Sequence, residues 1–87
     1  NKGEIAMFEV IREIIVKWDP IGLMDIAPPD EYDSECHIIC DEVKRKNVPL
    51  GRIIYEVFKD RFGETFRDDF SKCQQIATEI ENRINKD

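Results

Sequence analysis

Apolar residues recur at steps of three and four along most of the chain, the spacing typical of amphipathic α-helices. Helix one is predicted from Glu4 to Trp18, and Pro20 ends it because the residue before a proline is driven out of helical geometry. The apolar face of helix one consists of Met7, Phe8, Ile11, Ile14, Ile15 and Trp18.

Helix two is predicted to start at Asp30, which with Asp33 resembles a capping box, and to end in basic residues 44–46. Its buried stripe consists of Tyr32, Cys36, Ile39, Cys40 and Val43. The segment that joins helices one and two, Asp19 to Pro29, is unusually apolar for a loop. Ile21, Leu23, Met24 and Ile26 either tuck under the bundle end or form an exposed patch.

Helix three is predicted from Leu50 to Phe62, with Leu50, Ile53, Ile54, Val57 and Phe58 facing inward and Gly63 as its C′ residue. Thr65, with Asp68 three residues on, is the predicted N-cap of helix four. A near-heptad row of Phe66, Phe70, Cys73, Ala77, Ile80 and Ile84 follows. No segment alternates with period two, so we predict an all-α, compact four-helix domain that occupies the whole chain, residues 1–87.

Charge is distributed unevenly. The net charge is −6 over 87 residues. Six acids and no Lys or Arg lie between Asp19 and Glu35, whereas the remainder holds thirteen acids and thirteen bases. An acidic surface of this kind repels phosphate backbones, which argues against nucleic acid and favours a basic protein as partner.

Several classes of site and location are disfavoured by the sequence. No apolar run is long enough to span a membrane, and no signal peptide is visible; because the chain does not begin with Met, a trimmed N-terminus is expected. Three cysteines without a C-x-x-C pair indicate free thiols and a cytoplasmic setting.

Three kinds of site are considered: a zinc site, a catalytic thiol and an acidic site for calcium or magnesium. Cys36, His37, Cys40 and Cys73 could offer zinc ligands or a thiol nucleophile, but His37 points away from the cysteine face of its helix, so buried structural thiols are expected. The acids near Asp30 lack a calcium-loop pattern. We therefore expect no catalytic residue, no metal and no cofactor.

Two aromatic residues flank the acidic segment. Trp18 continues the helix-one stripe, and its indole N–H, if buried, needs a carboxylate such as Asp19 or Glu35. Tyr32 is equally well interpreted as a core residue or as a half-exposed aromatic anchor.

Two motifs in this region resemble a known family. W-D-P-I-G-L (residues 18–23) followed by P-P-D-E-Y-D-S-E (28–35) is similar to the small bacterial YugE-like family of unknown function. The pattern I-Y-E-V-F (54–58) with Phe62-Gly63 resembles its third helix, whereas Cys73 is not a feature of that family. The resemblance covers helices one to three.

The resemblance implies a compact helical protein without an established enzymatic activity. It also implies a likeness to immunity proteins of bacterial toxin systems, among which similar domains occur and which protect a cell by capping a toxin. The partner-binding residues that it and the charge pattern suggest are Trp18, Asp19, Asp30, Glu31, Tyr32, Asp33 and Glu35. We expect a monomer or weak homodimer that binds a basic protein. The alternatives are a structural protein that self-associates through helix four and the apolar loop, or a metal-dependent enzyme that uses Asp30, Asp33, Glu35 and His37.

Overall fold

The fold is known from a computed structural model that describes residues 2–23, 26, 30–45 and 47–86, with side chains from residue 7 to residue 85. This part of the chain forms four α-helices, α1 (Lys2–Trp18), α2 (Asp33–Arg45), α3 (Leu50–Phe62) and α4 (Phe70–Lys86), and one 3-10 turn, Gly63–Thr65. It contains no strand, which confirms the predicted all-α four-helix class.

Each helix packs against two others in a ring. The backbone of α1 lies close to those of α2 and α4, and the backbone of α3 lies close to the same two helices, so the described helices form an up-and-down bundle. The short connection between α2 and α3 makes them antiparallel neighbours. As a consequence, the α1–α2 and α3–α4 connections lie at the same end of the bundle.

The core follows the predicted apolar faces. All five inward positions of α3 are buried, and the bounds of this helix are those predicted. Gly63 takes φ 55° and its amide bonds the Lys59 carbonyl oxygen, as expected of a residue that ends a helix. The α4 row from Cys73 to Ile80 is buried, and α4 packs against α1 and α3, whereas Phe70, predicted in the same row, is 40% exposed.

Two predicted helix starts are wrong. α2 begins at Asp33, not at Asp30, since the first helical backbone bond runs from the Cys36 amide to the Tyr32 carbonyl oxygen. Asp30 therefore lies before the helix, and the Asp33 carboxylate, predicted to complete a capping box, pairs with Arg12. The predicted course of helix two also includes Lys46, which lies outside the described residues.

The start of α4 differs for a different reason. Thr65 lies in the 3-10 turn, and Phe66 is buried in an extended conformation before the helix. The N-cap is Asp69, whose Oδ1 accepts a hydrogen bond of 2.9 Å from the Lys72 amide. An aspartate four residues further along the chain therefore takes the capping role that was predicted for Thr65.

The apolar loop divides between the two predicted alternatives. Ile21 and Leu23 are half-buried and pack against the core, whereas Ile26 is 82% exposed. Met24 lies outside the described residues.

Candidate functional site

Trp18 connects two distant parts of the chain. Its indole nitrogen Nε1 donates a hydrogen bond of 2.8 Å to Asp68 Oδ2, and its ring meets Phe58 and Phe66 edge-on. The expected partners, Asp19 and Glu35, do not take this role. Trp18 thereby joins the end of α1 to the α3–α4 connection.

Asp19 and Tyr32 hold the α1–α2 connection in place. Asp19 has a positive φ of 50°, and its Oδ1 accepts hydrogen bonds from the Tyr32 hydroxyl and the Leu23 amide, each 2.8 Å long. The Tyr32 oxygen accepts a third bond, of 3.1 Å, from the Ile21 amide. Tyr32 is fully buried, so of the two interpretations left open by the sequence the structure supports the core residue.

The electrostatic environment of Tyr32 agrees with this internal role. Burial, and secondly the hydrogen bond to Asp19, raise the pKa of Tyr32 to about 12. The hydroxyl therefore keeps its proton and remains a donor to Asp19 at neutral pH.

Two carboxylates of the first turn of α2 form ion pairs within the chain. Asp33 Oδ1 lies 2.7 Å from Arg12 Nε, and Glu35 Oε2 lies 2.9 Å from Arg61 Nε. Glu35 is only 3% exposed, and its other oxygen, Oε1, is buried without a hydrogen-bond partner among the described residues. These arginines neutralise part of the predicted acidic surface.

Asp30 and Glu31 are the two of the seven predicted partner-binding residues whose side chains are exposed. Neither forms an ion pair with any other described residue. The internal contacts of the other five do not test partner binding, which stays a prediction. They do give those residues structural roles that a partner would have to leave intact.

The bundle topology adds acids that the linear sequence had kept apart. The acidic end, which we define as residues 15–23, 26, 30–36 and 59–73, comprises both connections and the adjoining helix turns. It carries nine carboxylates and five basic residues. Its carboxylates are Asp19, Asp30, Glu31, Asp33, Glu35, Asp60, Glu64, Asp68 and Asp69.

The opposite end comprises the described residues 2–6, 42–45, 47–53 and 80–86, which include six basic residues and three acids. The bundle is therefore polarised along its length. The signal that could have revealed this was the helix count itself, since four antiparallel helices place the first and third connections side by side.

Four exposed residues of the acidic end form what we call the acidic patch: Asp30, Glu31, Asp60 and Glu64. The Glu35–Arg61 ion pair and the ring contact of Tyr32 with Phe62 bring the start of α2 to the end of α3, where Asp60 and Glu64 lie. No ion pair engages any of the four within the described part of the chain.

The two basic residues on either side of Asp60 in the sequence are directed at acceptors of the bundle itself. Arg61 binds Glu35, and Lys59 Nζ donates a bond of 3.2 Å to the Phe66 carbonyl oxygen. Because the patch carboxylates form no ion pair with a described residue, their charge favours the approach of a cationic group.

The thiols show no sign of activation. Cys36, Cys40 and Cys73 are buried and free, and burial raises the pKa of both Cys36 and Cys73 to about 12. A reactive cysteine needs a lowered pKa. His37 is exposed and stacks on Phe8, with ring centroids 4.3 Å apart.

The described residues contain neither a cluster of metal-binding side chains nor a helix that could span a membrane. Among these, no group of three or more His, Cys, Asp or Glu side chains is placed to hold a metal ion. None of the four helices, over the residues described, is long and apolar enough to cross a membrane.

Comparisons of the chain with protein families, with characterised proteins and with solved structures found no match.

Proposed function

We propose that this protein is a non-enzymatic binding module that recognises a basic protein through its acidic end. The observation that carries the proposal is the acidic patch, four exposed carboxylates that form no ion pair with a described residue, while Lys59 and Arg61 beside Asp60 are bound to Phe66 and Glu35. This replaces the broader surface from Asp19 to Glu35 with one built from the α1–α2 connection and from the end of α3 with the turn that follows it.

The proposed mechanism is steric occlusion after electrostatic capture. A surface of one sign raises the association rate of an oppositely charged partner by about 10–10³, and the effect falls with ionic strength. The resemblance to the YugE-like family and to toxin-immunity domains supports a specific form of the proposal, in which the partner is a basic toxin that the bundle caps. The net charge of −6 agrees with such a partner.

The test compares two variants that change the net charge equally. The patch variant carries D30N, E31Q, D60N and E64Q. The control variant carries E9Q, D41N, E79Q and E81Q, which neutralise exposed acids outside the acidic end. Each variant is immobilised and used to capture proteins from an extract of the source cell at low salt.

We expect the wild type and the control variant to retain the same basic protein and the patch variant to lose it. The association rate of that protein, measured by surface plasmon resonance, should fall by about 10–10³ for the patch variant alone and should decline with added salt. Equal capture by the patch and control variants would show that the acidic end is not the binding surface.

A further inference from the structure

A groove between α2 and α3 lies directly beside the acidic patch. Its volume is about 610 Å³, and Asp60 of the patch is one of its lining residues. Ile38 and Val57 supply apolar lining, together with the half-buried ring of Tyr55. The groove thus continues the acidic patch into an apolar surface.

The second groove of comparable size, between α1 and α2, is less suited to receive a side chain. Its volume is about 490 Å³, and two of its lining residues, Phe8 and His37, stack on each other. The Arg12–Asp33 ion pair also lies in its wall. Its apolar surface is therefore already partly covered by the chain's own contacts.

The charges along the α2–α3 groove favour a cationic occupant. Asp60 has no ion pair among the described residues, and Glu56 is held only by Arg52 in an exposed contact of 3.0 Å. An exposed pair of this kind is worth about 0.3–0.5 kcal/mol, so a partner's lysine or arginine can replace Arg52 at little cost. The basic residues that line the groove, Lys59 and Arg61, are directed at Phe66 and Glu35.

We infer that the α2–α3 groove binds an amphipathic helix of the basic partner, with apolar anchors on Ile38 and Tyr55 and basic residues toward Glu56 and Asp60. The inference rests on the proposed function and specifies the element that is recognised. From Tyr55 to Arg61 the groove wall extends over about 9 Å of α3, at 1.5 Å per residue. About one and a half turns of a bound helix, with anchors three or four residues apart, fit this length.

The probe is a synthetic helical peptide with leucines on one face and lysines on the other, alongside an analogue in which glutamates replace the lysines. Titration into isotopically labelled protein is followed by amide chemical shifts. We expect the lysine peptide to shift the amides around Ile38, Tyr55 and Asp60 and to leave those around Phe8 unchanged. The glutamate peptide should bind at least about tenfold more weakly.

Two double variants test the groove by affinity. Ile38→Gln with Glu56→Lys alters the groove without touching the acidic patch residues. Val16→Gln with Glu9→Lys makes the same chemical changes on α1, at a half-buried and an exposed position. The groove variant should weaken the lysine peptide about tenfold or more and the α1 variant less than about twofold. Thermal unfolding of both variants establishes that they fold.

The outcomes separate this inference from the proposed function. Shifts located in the α1–α2 groove, equal binding of the two peptides, or equal effects of the two variants would overturn the groove assignment. So would sedimentation that shows a dimer whose formation shifts the same amides, because a second copy would then be the occupant. The proposed function depends instead on whether the patch variant loses its cellular partner.

Discussion

The hydroxyl group of Tyr32 offers a sharp test of how the α1–α2 connection is held. Tyr32→Phe removes one oxygen and leaves the ring, which stays in contact with Phe58 and Phe62 at centroid distances of 6.0 and 6.4 Å. The lost oxygen donates to Asp19 and accepts from the Ile21 amide. Any effect is therefore a hydrogen-bond effect and not one of packing.

The expected loss of stability follows from the two groups that Tyr32→Phe leaves without this hydroxyl, the Ile21 amide and the Asp19 carboxylate. An amide that loses its partner on burial costs about 1–3 kcal/mol, and a hydrogen bond to a charged group contributes about 1.5–3 kcal/mol. Asp19 keeps its bond to Leu23, and Ile21 is only half-buried, so water can replace part of what is lost. We expect the free energy of unfolding to fall by about 2 kcal/mol, which lowers Tm by about 8–16 °C in a domain of this size.

Tyr55→Phe is the matched control. Tyr55 is half-buried and contacts the rings of Phe66 and Phe70, and its hydroxyl has no hydrogen bond to any described residue. The same chemical change there should alter stability by less than about 0.5 kcal/mol. Urea unfolding followed by circular dichroism measures both variants, and equal values for the two would refute the role assigned to Tyr32.

The pH dependence of stability provides a second measurement on the same group. Because the pKa of Tyr32 is raised from 10.0 to about 12 in the folded state, folding favours the protonated form. Its contribution is complete below pH 10 and is lost as the pH rises toward 12. Tyr32→Phe should therefore lose less stability than the wild type over this interval. The thiols of Cys36 and Cys73, whose pKa is raised from 9.0 to about 12, contribute equally to the pH dependence of both proteins.

Three further predictions concern other buried groups. Arg61→Ala leaves the carboxylate of Glu35 buried without its cation and should lower the free energy of unfolding by about 2 kcal/mol. Adding Glu35→Leu should restore part of this loss, which a double-mutant cycle measures. Cys36 and Cys73 should resist iodoacetamide at pH 8 in the folded protein and react once urea unfolds it, since their folded pKa is about 12; rapid labelling without urea would contradict this. Gly51→Ala should destabilise the protein by about 1–2 kcal/mol despite the better helix propensity of alanine, because the new Cβ would lie 3.1 Å from the Cα of Gln74 in α4. A gain in stability on chemical denaturation would refute this expectation.

The helices were largely predictable because their signals are local. The apolar period of α3 and the glycine after it depend on neighbours three or four residues away, and both its bounds were predicted correctly. The starts of α2 and α4 were not, because each is preceded within a few residues by several side chains that can cap a helix. In the structure Asp33 pairs with Arg12, and Asp69 rather than Thr65 caps α4.

The candidate site was predicted only in part, for a related reason. The acidic segment is visible in the sequence, and it does supply Asp30 and Glu31 to the acidic patch. The other half of the patch, Asp60 and Glu64, lies about thirty residues further along and joins it only because the helices alternate in direction.

What the sequence by itself determined is the class of fold, the position of the apolar faces and the excess of negative charge. Which carboxylates remain available was decided by the tertiary structure alone. Trp18 found its acceptor fifty residues away in Asp68, and Glu35 found Arg61 at a separation of 26 residues. Such pairings depend on the relative placement of whole helices, which side-chain periodicity does not encode, because periodicity says which face is buried and not which neighbour it meets.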